Sequence, residues 1–391
     1  MPEIIDYLKH MCEKGASDIY ITNGMPAMFR IQGATQPYDE PPLTPEDTER
    51  IAKSAMNEKQ KRIFAEELEM NLALHYPELG RFRVNIFRQR GSVGLVIRQI
   101  NTVIKSIDEM GLPHIFKDIM MTKNGLVLVV GATGSGKSTT LASMIDHRNA
   151  NQRGHIITIE DPVEYVHNHK LSVITQREVG FDTHSFAAAL KNTLRQAPDV
   201  ILIGEIRDTE TMEDAITFAE TGHLALGTLH SNNANQALER ILNFFPIERH
   251  EQIYMQLSLN LRAIISQRLI PTVDGKRVAA IEILLDSARI KDLILKGDVG
   301  LLKETMAASY NEGMQTFDQH IFDLYKAGII DYNNAIAYAD APNDLRLRIK
   351  MANITKEEES QKESSFKLKI EGKKWRLTTS NGEIVEKNNA L

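Results

Sequence analysis

The chain has 391 residues, of which 42% are hydrophobic and 25% charged, a composition typical of a folded globular protein with more than one domain. The formal net charge of -6 disfavours a nucleic-acid partner, because the phosphates of a nucleic acid require a basic protein face. The single cysteine, Cys12, excludes an internal disulfide and a four-cysteine zinc site, and it indicates a reducing compartment. No window approaches the roughly 18 consecutive apolar residues of a membrane span, so we expect a cytoplasmic protein without a transmembrane segment.

The first hundred residues predict a small α+β domain. The stretch up to residue 19 is typical of an amphipathic helix and lacks the apolar core of a signal peptide. A second helix is predicted to open at Thr44, and period-two alternation in RFRVNIF and VGLVIRQI favours antiparallel strands, as do the runs SDIYIT and AMFRIQG. We therefore expect one domain over residues 1–100, followed by a linker over residues 101–113 that contains Gly111 and Pro113.

From residue 114 the pattern changes to apolar strands that alternate with helices. The strand-like runs are GLVLVV, HIITI, DVILI, HLALGTL and VAAIEILLD, and residues 288–350 are predicted to be helical. Such runs are typical of strands buried on both faces, and hence of a mostly parallel sheet covered by helices. This α/β domain is expected over residues 114–350. Residues 351–391 are expected to form a charged linker and a β-hairpin that turns at Asn381-Gly382.

The strand GLVLVV leads into GATGSGKST, which matches the phosphate-binding loop motif in its strand, loop and helix context. The glycines of the motif allow backbone N–H groups to converge on phosphate oxygens, and the following helix directs its positive end toward them. Lys137 is predicted to neutralise the β- and γ-phosphates of ATP, and the Ser138 hydroxyl to ligate Mg²⁺. The predicted nucleotide contacts on this loop are Gly131, Ala132, Thr133, Gly134, Ser135, Gly136, Lys137, Ser138 and Thr139.

The direction of the strands assigns the other candidate residues to one of the two edges of the sheet. All strands of a parallel sheet deliver their carboxyl ends to one edge, and ligands bind outside that edge. Glu205 and His230 follow their strands at this edge. Glu205 is therefore predicted to bind Mg²⁺ directly or through another ligand of the ion, and His230 is predicted to reach the γ-phosphate. Asp199 and His223 precede the same two strands and are expected to be structural residues at the far edge.

The acidic segment IEDPVEY, residues 159–165, follows the strand HIITI at the ligand edge. A water molecule that attacks a phosphate needs an acceptor that orients it and takes its proton. Glu164 and Glu160 both qualify from the residues alone, and a solvated acidic turn is a third interpretation. His167 closes the stretch and receives no role.

Together these motifs resemble the secretion ATPase superfamily and, within it, the retraction ATPases of type IV pili, PilT and PilU. The resemblance covers roughly residues 1–350 and implies an N-terminal PAS-like α+β domain, then a RecA-like P-loop ATPase domain with C-terminal helices. It further implies a homo-hexameric ring with ATP at the junction between neighbouring copies. The segments that carry it, in order, are ASDIYITNGMPAMFRIQG, GRFRVNIFRQR, GATGSGKST, IEDPVEY, RQAPDVILIGEIRD, TGHLALGTLHSN and GMQTFDQHI.

The resemblance selects Glu164 over Glu160 as the catalytic residue of the acidic segment, and it makes Glu205 the Walker B acid near Mg²⁺. With Lys137 and His230, these residues complete the predicted catalytic set.

The resemblance also implies that arginines of the N-terminal domain reach the nucleotide, where a cation would stabilise the charge that develops in phosphoryl transfer. The matching residues are Arg81, Arg83 and Arg98. Arg195 and Arg207, which flank the Walker B segment, are expected to pair with the acids instead.

The chain departs from PilT in two places. Where PilT has the helical motif AIRNLIRE, residues 289–296 read RIKDLILK, so that Leu295 replaces the second arginine. The chain also continues beyond the position near residue 350 at which PilT-like chains generally stop. Both departures resemble PilU, which assists retraction. The partners implied are copies of the chain, a PilT-like ATPase and the inner-membrane platform protein, at the cytoplasmic base of the pilus.

Other functions share parts of this pattern. Extension ATPases like PilB carry a four-cysteine zinc insert, which a single cysteine cannot provide. A RecA-like nucleic-acid translocase is disfavoured by the acidic pI of about 6.1 and by the lack of a clear basic or aromatic platform. A ring subunit that binds ATP without turnover, acting only with a PilT partner, is expected to lack Lys137 or the acids, and all of them are present.

Overall fold

The structure, a computed structural model, describes residues 2–31, 33–100, 103–352, 376–378 and 384–386. Its internal contacts divide the described chain into two compact units. The first contains the described residues up to Leu269 together with Ile281–Gln315, and the second contains Ile270–Ala280 and the described residues from Thr316 onward. In the part of the chain that is described, no helix has both the length and the apolar character that a bilayer span requires.

The N-terminal part of the first unit is a six-stranded antiparallel sheet with three helices. The strands lie in the order β3-β2-β1-β6-β5-β4, and all neighbours run antiparallel. This confirms the predicted PAS-like α+β fold class. The elements are α1 (Ile4–Lys14), β1 (Asp18–Ile21), β2 (Met28–Ile31), β3 (Ala34–Pro37), α2 (Pro45–Ala55), α3 (Glu58–Glu67), β4 (Glu69–Tyr76), β5 (Gly80–Gln89) and β6 (Ser92–Ile100).

Local chemistry explains most of these elements. Helix α2 begins as predicted after Thr44, whose hydroxyl accepts the N–H of Asp47 while the Asp47 carboxylate accepts the N–H of Thr44. Strand β5 buries Phe82 and the alternate residues after it, so that Arg81 and Arg83 share the opposite face. Helix α3 and strand β3 were not predicted, because α3 buries a single apolar side chain and β3 is exposed throughout.

The rest of the first unit is built on a parallel sheet, as expected for a RecA-like domain. The sheet order is β13-β12-β7-β11-β10-β8-β9, and each neighbouring pair from β12 to β9 is parallel. Strands β7 and β11 are buried along their whole length. The elements are α4 (Ile115–Met121), β7 (Gly125–Val130), α5 (Lys137–Asn151), β8 (Gly154–Glu160), β9 (Ser172–Glu178), α6 (Phe186–Thr193), β10 (Val200–Ile203), α7 (Thr209–Glu220), β11 (Leu224–Leu229), α8 (Ala234–Leu242), α9 (His250–Asn260), β12 (Leu261–Pro271), β13 (Arg277–Leu285), α10 (Ala288–Lys296) and α11 (Leu302–Ala308).

All five predicted strands of this sheet are present, but β9 and β12 were missed. Strand β9 is the last in the sheet order, and its second half, TQRE, carries polar side chains that hide the apolar pattern. The apolar pattern of strand β12 is interrupted by Arg262, Gln267 and Arg268. Polar residues in a strand interior break the apolar run on which the prediction depended.

The second unit has its own small core, formed by Ile270, Ala280 and the helices that follow. These helices are α12 (Phe317–Lys326), α13 (Tyr332–Tyr338) and the helical residues 342–352, in line with the helical prediction for residues 288–350. In the tail, β14 (Arg376–Thr378) pairs antiparallel with β15 (Ile384–Glu386), and the predicted turn at Asn381-Gly382 lies outside the described residues. The predicted domain boundaries at 1–100, 101–113, 114–350 and 351–391 stay predictions.

Candidate active site

The loop between β7 and α5 has the backbone shape of a phosphate cradle. Gly136 is the residue before α5 and has a φ of 92°, a left-handed conformation that favours glycine. The side chain of Lys137 lies along the loop, where Nζ donates to the carbonyl oxygens of Gly131 at 2.7 Å and Ala132 at 3.0 Å. Ser138 is exposed in the first turn of α5. The loop therefore presents an ammonium group, a hydroxyl and the N-terminus of a 15-residue helix at one point.

Gln267, on β12, supports this loop from beneath. Its Oε1 accepts the hydroxyl of Thr140 at 2.8 Å, and both side chains are buried. A Cβ atom on Gly136 would lie 2.7 Å from Gln267 Nε2, so the loop and the amide are in close contact. The Ser135 hydroxyl is buried without a hydrogen-bond partner among the described residues. The sequence reading missed Gln267, although a polar residue inside the run AIISQRLI was a signal that could have found it.

Glu205 and His230 meet at the carboxyl edge of the sheet, as strand polarity predicted. Glu205 Oε1 lies 3.1 Å from His230 Nε2, and Oε2 accepts Arg207 at 2.7 Å. Burial by itself would raise the pKa of Glu205, but the hydrogen bond and charge of Arg207, with the charges of His230 and Lys137, hold it below its usual value. Glu205 is therefore ionised at neutral pH.

Arg207 also connects the Walker B acid to the acidic segment, because its guanidinium lies 3.9 Å from Asp161. The expected pairing of Arg207 with the acids is confirmed. Arg195 is exposed, and within the described residues it forms no ion pair.

The two acids of IEDPVEY differ in their surroundings. Glu160 is half-buried and accepts the Thr158 hydroxyl at 2.6 Å and the Gln176 amide at 3.3 Å. Burial raises the pKa of Glu160 to about 6, and the charge of Glu164 contributes to that rise. Glu164 is exposed to solvent. Glu164 is therefore more accessible to water than Glu160.

The acidic segment is tied to the phosphate loop by one direct contact. The hydroxyls of Tyr165 and Thr139 lie 2.9 Å apart, which links the segment to the first turn of α5. His167 is buried, and its Nδ1 has no hydrogen-bond partner among the described residues. Burial lowers the pKa of His167 to about 4, so the ring is neutral at physiological pH.

The predicted structural residues lie at the opposite ends of their strands. The Asp199 carboxylate accepts the backbone N–H of His155 at 2.8 Å, near the start of β8. The carbonyl oxygen of His223 accepts the N–H of Gly125 at 3.0 Å, at the start of β7. Neither residue joins the group around Glu205.

The three N-terminal arginines have different surroundings. Arg98 donates to the buried Asp18 at 2.8 Å, and Arg83 donates to the buried Glu178. Arg81 is half-buried on β5 and forms no ion pair within the described ranges. Whether these arginines contact a nucleotide stays a prediction. The sequence reading missed both Asp18 and Glu178.

A cavity of about 260 Å³ lies beside the loop, next to His230. Its walls combine a histidine, an arginine and neutral hydrogen-bonding side chains, a chemistry that suits an anionic group. The lining residues are Ala132, His230, Ser231, Asn232, Gln236 and Arg240.

The donor set at this edge fits a magnesium ion. Ser138 offers a hydroxyl oxygen and Glu205 an ionised carboxylate, and Mg²⁺ prefers oxygen ligands. In the described part of the chain no group of three acidic, histidine or cysteine side chains could hold a metal.

Comparison with known proteins places the chain in a family. The family model described as type II/IV secretion system protein matches residues 2–304. The protein named type IV pilus ATPase PilU of Pseudomonas aeruginosa is 56% identical over 347 residues, covering 88% of this chain and 91% of the relative. The type IV pilus retraction ATPase PilT of the same organism is 40% identical over 342 residues, covering 88% of this chain and 99% of the relative.

A solved structure of the pilus retraction motor PilT with bound ADP has the same fold. It matches with a TM-score of 0.83 at 44% identity, and the match covers 88% of this chain and 99% of that chain. The match to the family model extends over the N-terminal sheet, the phosphate loop and the acidic segment. The chain therefore belongs to the PilT/PilU family of type IV pilus ATPases, within the type II/IV secretion system proteins.

Proposed function

We propose that this protein is a Mg²⁺-dependent ATPase that drives, or helps to drive, retraction of type IV pili and twitching motility. The observation that carries the proposal is the pair Glu205–His230, 3.1 Å apart at the sheet edge where the phosphate loop begins and where the charge of Lys137 acts on Glu205. The names of the PilU and PilT relatives support the pilus as the assembly on which the protein acts.

Each residue of the site has a distinct task in the proposed reaction. The loop from Gly131 to Thr139 holds the phosphates of ATP, and Lys137 turns from its carbonyl contacts toward the β- and γ-phosphates. Mg²⁺, held by Ser138 and Glu205, would neutralise charge on these phosphates. Glu164 orients a water molecule and accepts its proton as the water oxygen attacks the γ-phosphorus and the bond to the β-phosphate oxygen breaks.

His230 serves the same edge from the neighbouring strand. Its Nε2 faces Glu205, so the ring fixes the carboxylate and can turn toward the γ-phosphate as the charge there changes. We further propose that the chain works as a homo-hexamer and that Arg81 of the N-terminal sheet approaches the nucleotide. Of the three arginines, Arg81 forms no ion pair with any residue that the structure describes.

A role beside a PilT-like ATPase is supported by helix α10. Leu295 is 52% exposed on this helix, at the position where the PilT motif has its second arginine. A surface that carries leucine instead of arginine would contact its partner through apolar area. We propose that the protein acts peripherally at the inner membrane, at the pilus base, with the platform protein and a PilT-like ATPase as partners.

Steady-state ATP hydrolysis by the purified full chain tests the proposal. Lys137→Ala should weaken ATP binding, because the ammonium that neutralises the phosphates is lost. Glu164→Gln should bind Mg²⁺-ATP normally and lose hydrolysis. Lys59→Ala and Glu66→Gln, both exposed on α3, are matched controls that should behave like the unaltered chain. Near-normal turnover by the Glu164 variant would show that another group accepts the proton.

Two additions to the assay separate the finer alternatives. A PilT-like partner should raise turnover or pilus retraction above the sum of the separate proteins if the chain is an accessory motor. Removal of residues 351–391 tests whether the tail contributes to that effect. Stimulation of hydrolysis by DNA that declines with salt would instead support a nucleic-acid translocase.

A further inference from the structure

A buried carboxylate, Glu178, lies at the end of β9 beside the acidic segment. Only 2% of the residue is exposed to solvent. Glu178 stands opposite Glu160 in the parallel register of β8 and β9, and the next residue, Val179, donates its N–H to the Glu160 carbonyl at 2.9 Å. A carboxylate buried to this degree requires compensating partners, and each of its oxygens has one.

The first partner is the backbone of the acidic segment itself. Glu178 Oε2 accepts the N–H of Val163 at 3.1 Å. Val163 is buried and Glu164 is exposed, so this bond holds the backbone at the residue just before the proposed base. A backbone anchored one residue before a side chain restricts the positions that this side chain can reach.

The second partner comes from the N-terminal sheet. Arg83, on β5, donates its guanidinium to Glu178 Oε1, and 28% of the arginine side chain is exposed. The Cζ atom of the same guanidinium lies 6.0 Å from the centre of the Phe181 ring. Phe181 packs against the core of the N-terminal sheet. The turn between Glu178 and Phe181 is closed by Asp182, whose carboxylate accepts the Glu178 N–H at 2.9 Å.

We propose that Arg83 and Glu178 are positioning residues for hydrolysis: Arg83 holds the Glu178 carboxylate, Glu178 holds the Val163 N–H, and this chain of contacts sets the position of Glu164. This assigns Arg83 a task within its own subunit, different from direct contact with a nucleotide. The inference rests on the proposed role of Glu164. Loss of Arg83 leaves a buried charge without its cation, and the carboxylate then moves and releases Val163.

The test compares Arg83→Met, Glu178→Leu and the double variant in the full chain. We expect each single variant to lower kcat about tenfold or more, because small misplacements of a catalytic group have large effects, while KM and the affinity for a fluorescent ATP analogue stay within about twofold. The double variant should lose no more than Glu178→Leu alone, because both changes break one chain of contacts. Arg83→Lys should restore part of kcat, and Arg88→Ala, on the same strand, is the matched control.

Stability measurements separate positioning from folding. Replacement of both ions by apolar side chains is often neutral for stability, so the double variant should unfold near the denaturant midpoint of the unaltered chain and still hydrolyse slowly. Losses that multiply in the double variant, or a weakened ATP affinity for Arg83→Met alone, would overturn the inference. If Glu178→Leu does not fold, Arg83→Met and Arg83→Lys carry the same comparison of kcat with affinity. Full turnover by Glu164→Gln would refute the proposed base, whereas an inactive Glu164→Gln beside fully active Arg83 and Glu178 variants would refute only this inference.

Discussion

Glu205 and His230 follow different strands of one sheet, and their side chains approach to 3.1 Å between Oε1 and Nε2. The strands β10 and β11 are parallel neighbours in a register that pairs Ile203 with Gly227, so the residues that follow them emerge side by side. The contact thus follows from the direction of the strands. Substitution of the histidine tests what the contact contributes.

His230→Ala should lower kcat by about tenfold, because Glu205 loses the ring that lies 3.1 Å from its carboxylate and small misplacements at a reacting site have large effects on rate. Its effect on ATP affinity should be small. His223→Ala, the histidine at the other end of the same strand, is the matched control. Steady-state kinetics of both variants check the expectation, and equal losses in the two would speak against a specific role for His230.

The contact between Thr140 and Gln267 should matter for the stability of the loop. Gln267→Leu leaves the buried Thr140 hydroxyl without a partner, which costs about 1–3 kcal/mol. Thr140→Val should cost a similar amount, and the double variant should cost less than the sum of the two. Urea unfolding of the four proteins measures this coupling. Additive losses would mean that the two side chains do not depend on each other.

Glu160→Gln should stabilise the protein at alkaline pH. The pKa of Glu160 is about 6 in the folded protein, above its ordinary value of 4.5, so the folded state holds this proton more tightly than the unfolded state. Stability is therefore lost as pH rises from about 4.5 to 6, by about 2 kcal/mol, and the glutamine variant avoids that loss. Denaturant unfolding at about pH 8 and about pH 5 should show a larger gain at the higher pH. A gain that is equal at the two values would contradict the pKa shift.

His167→Leu should change how the free energy of unfolding depends on pH below neutrality. The pKa of His167 is about 4 in the folded protein and about 6.5 ordinarily, so the unfolded state takes up the proton first as pH falls. The unaltered chain should lose about 2 kcal/mol of unfolding free energy between neutral pH and about pH 5 through this residue. The leucine variant should lack that component. If the two pH profiles are parallel, the ring is not held neutral by burial.

The sequence predicted the elements that carry their own pattern. Strands β7, β8, β10 and β11 are rich in apolar residues, and the shared direction of parallel strands was enough to bring Glu205 and His230 to one edge. The choice of Glu164 over Glu160 needed the family resemblance, because both acids lie in the same segment after β8 and their positions in the sequence support them equally.

The residues that sequence reasoning missed contact partners that are far away in the sequence. Gln267 is 127 residues from Thr140, and Glu178 is 95 residues from Arg83. A pair so far apart leaves no periodic signal, and each member in isolation resembles a solvated polar residue. Their burial, which reveals their importance, exists only in the folded chain.

The position of β9 as the last strand of its sheet divides the site into parts of unequal stiffness. The phosphate loop and Glu205 follow β7 and β10, which have neighbours on both sides, whereas the acidic segment lies between β8 and the terminal strand β9. Local unfolding begins where one side of a strand lacks a partner, so backbone amides of β9 should exchange with deuterium before those of β10. Fraying of this edge would displace the acidic segment with Glu164 and leave the phosphate loop and Glu205 in place.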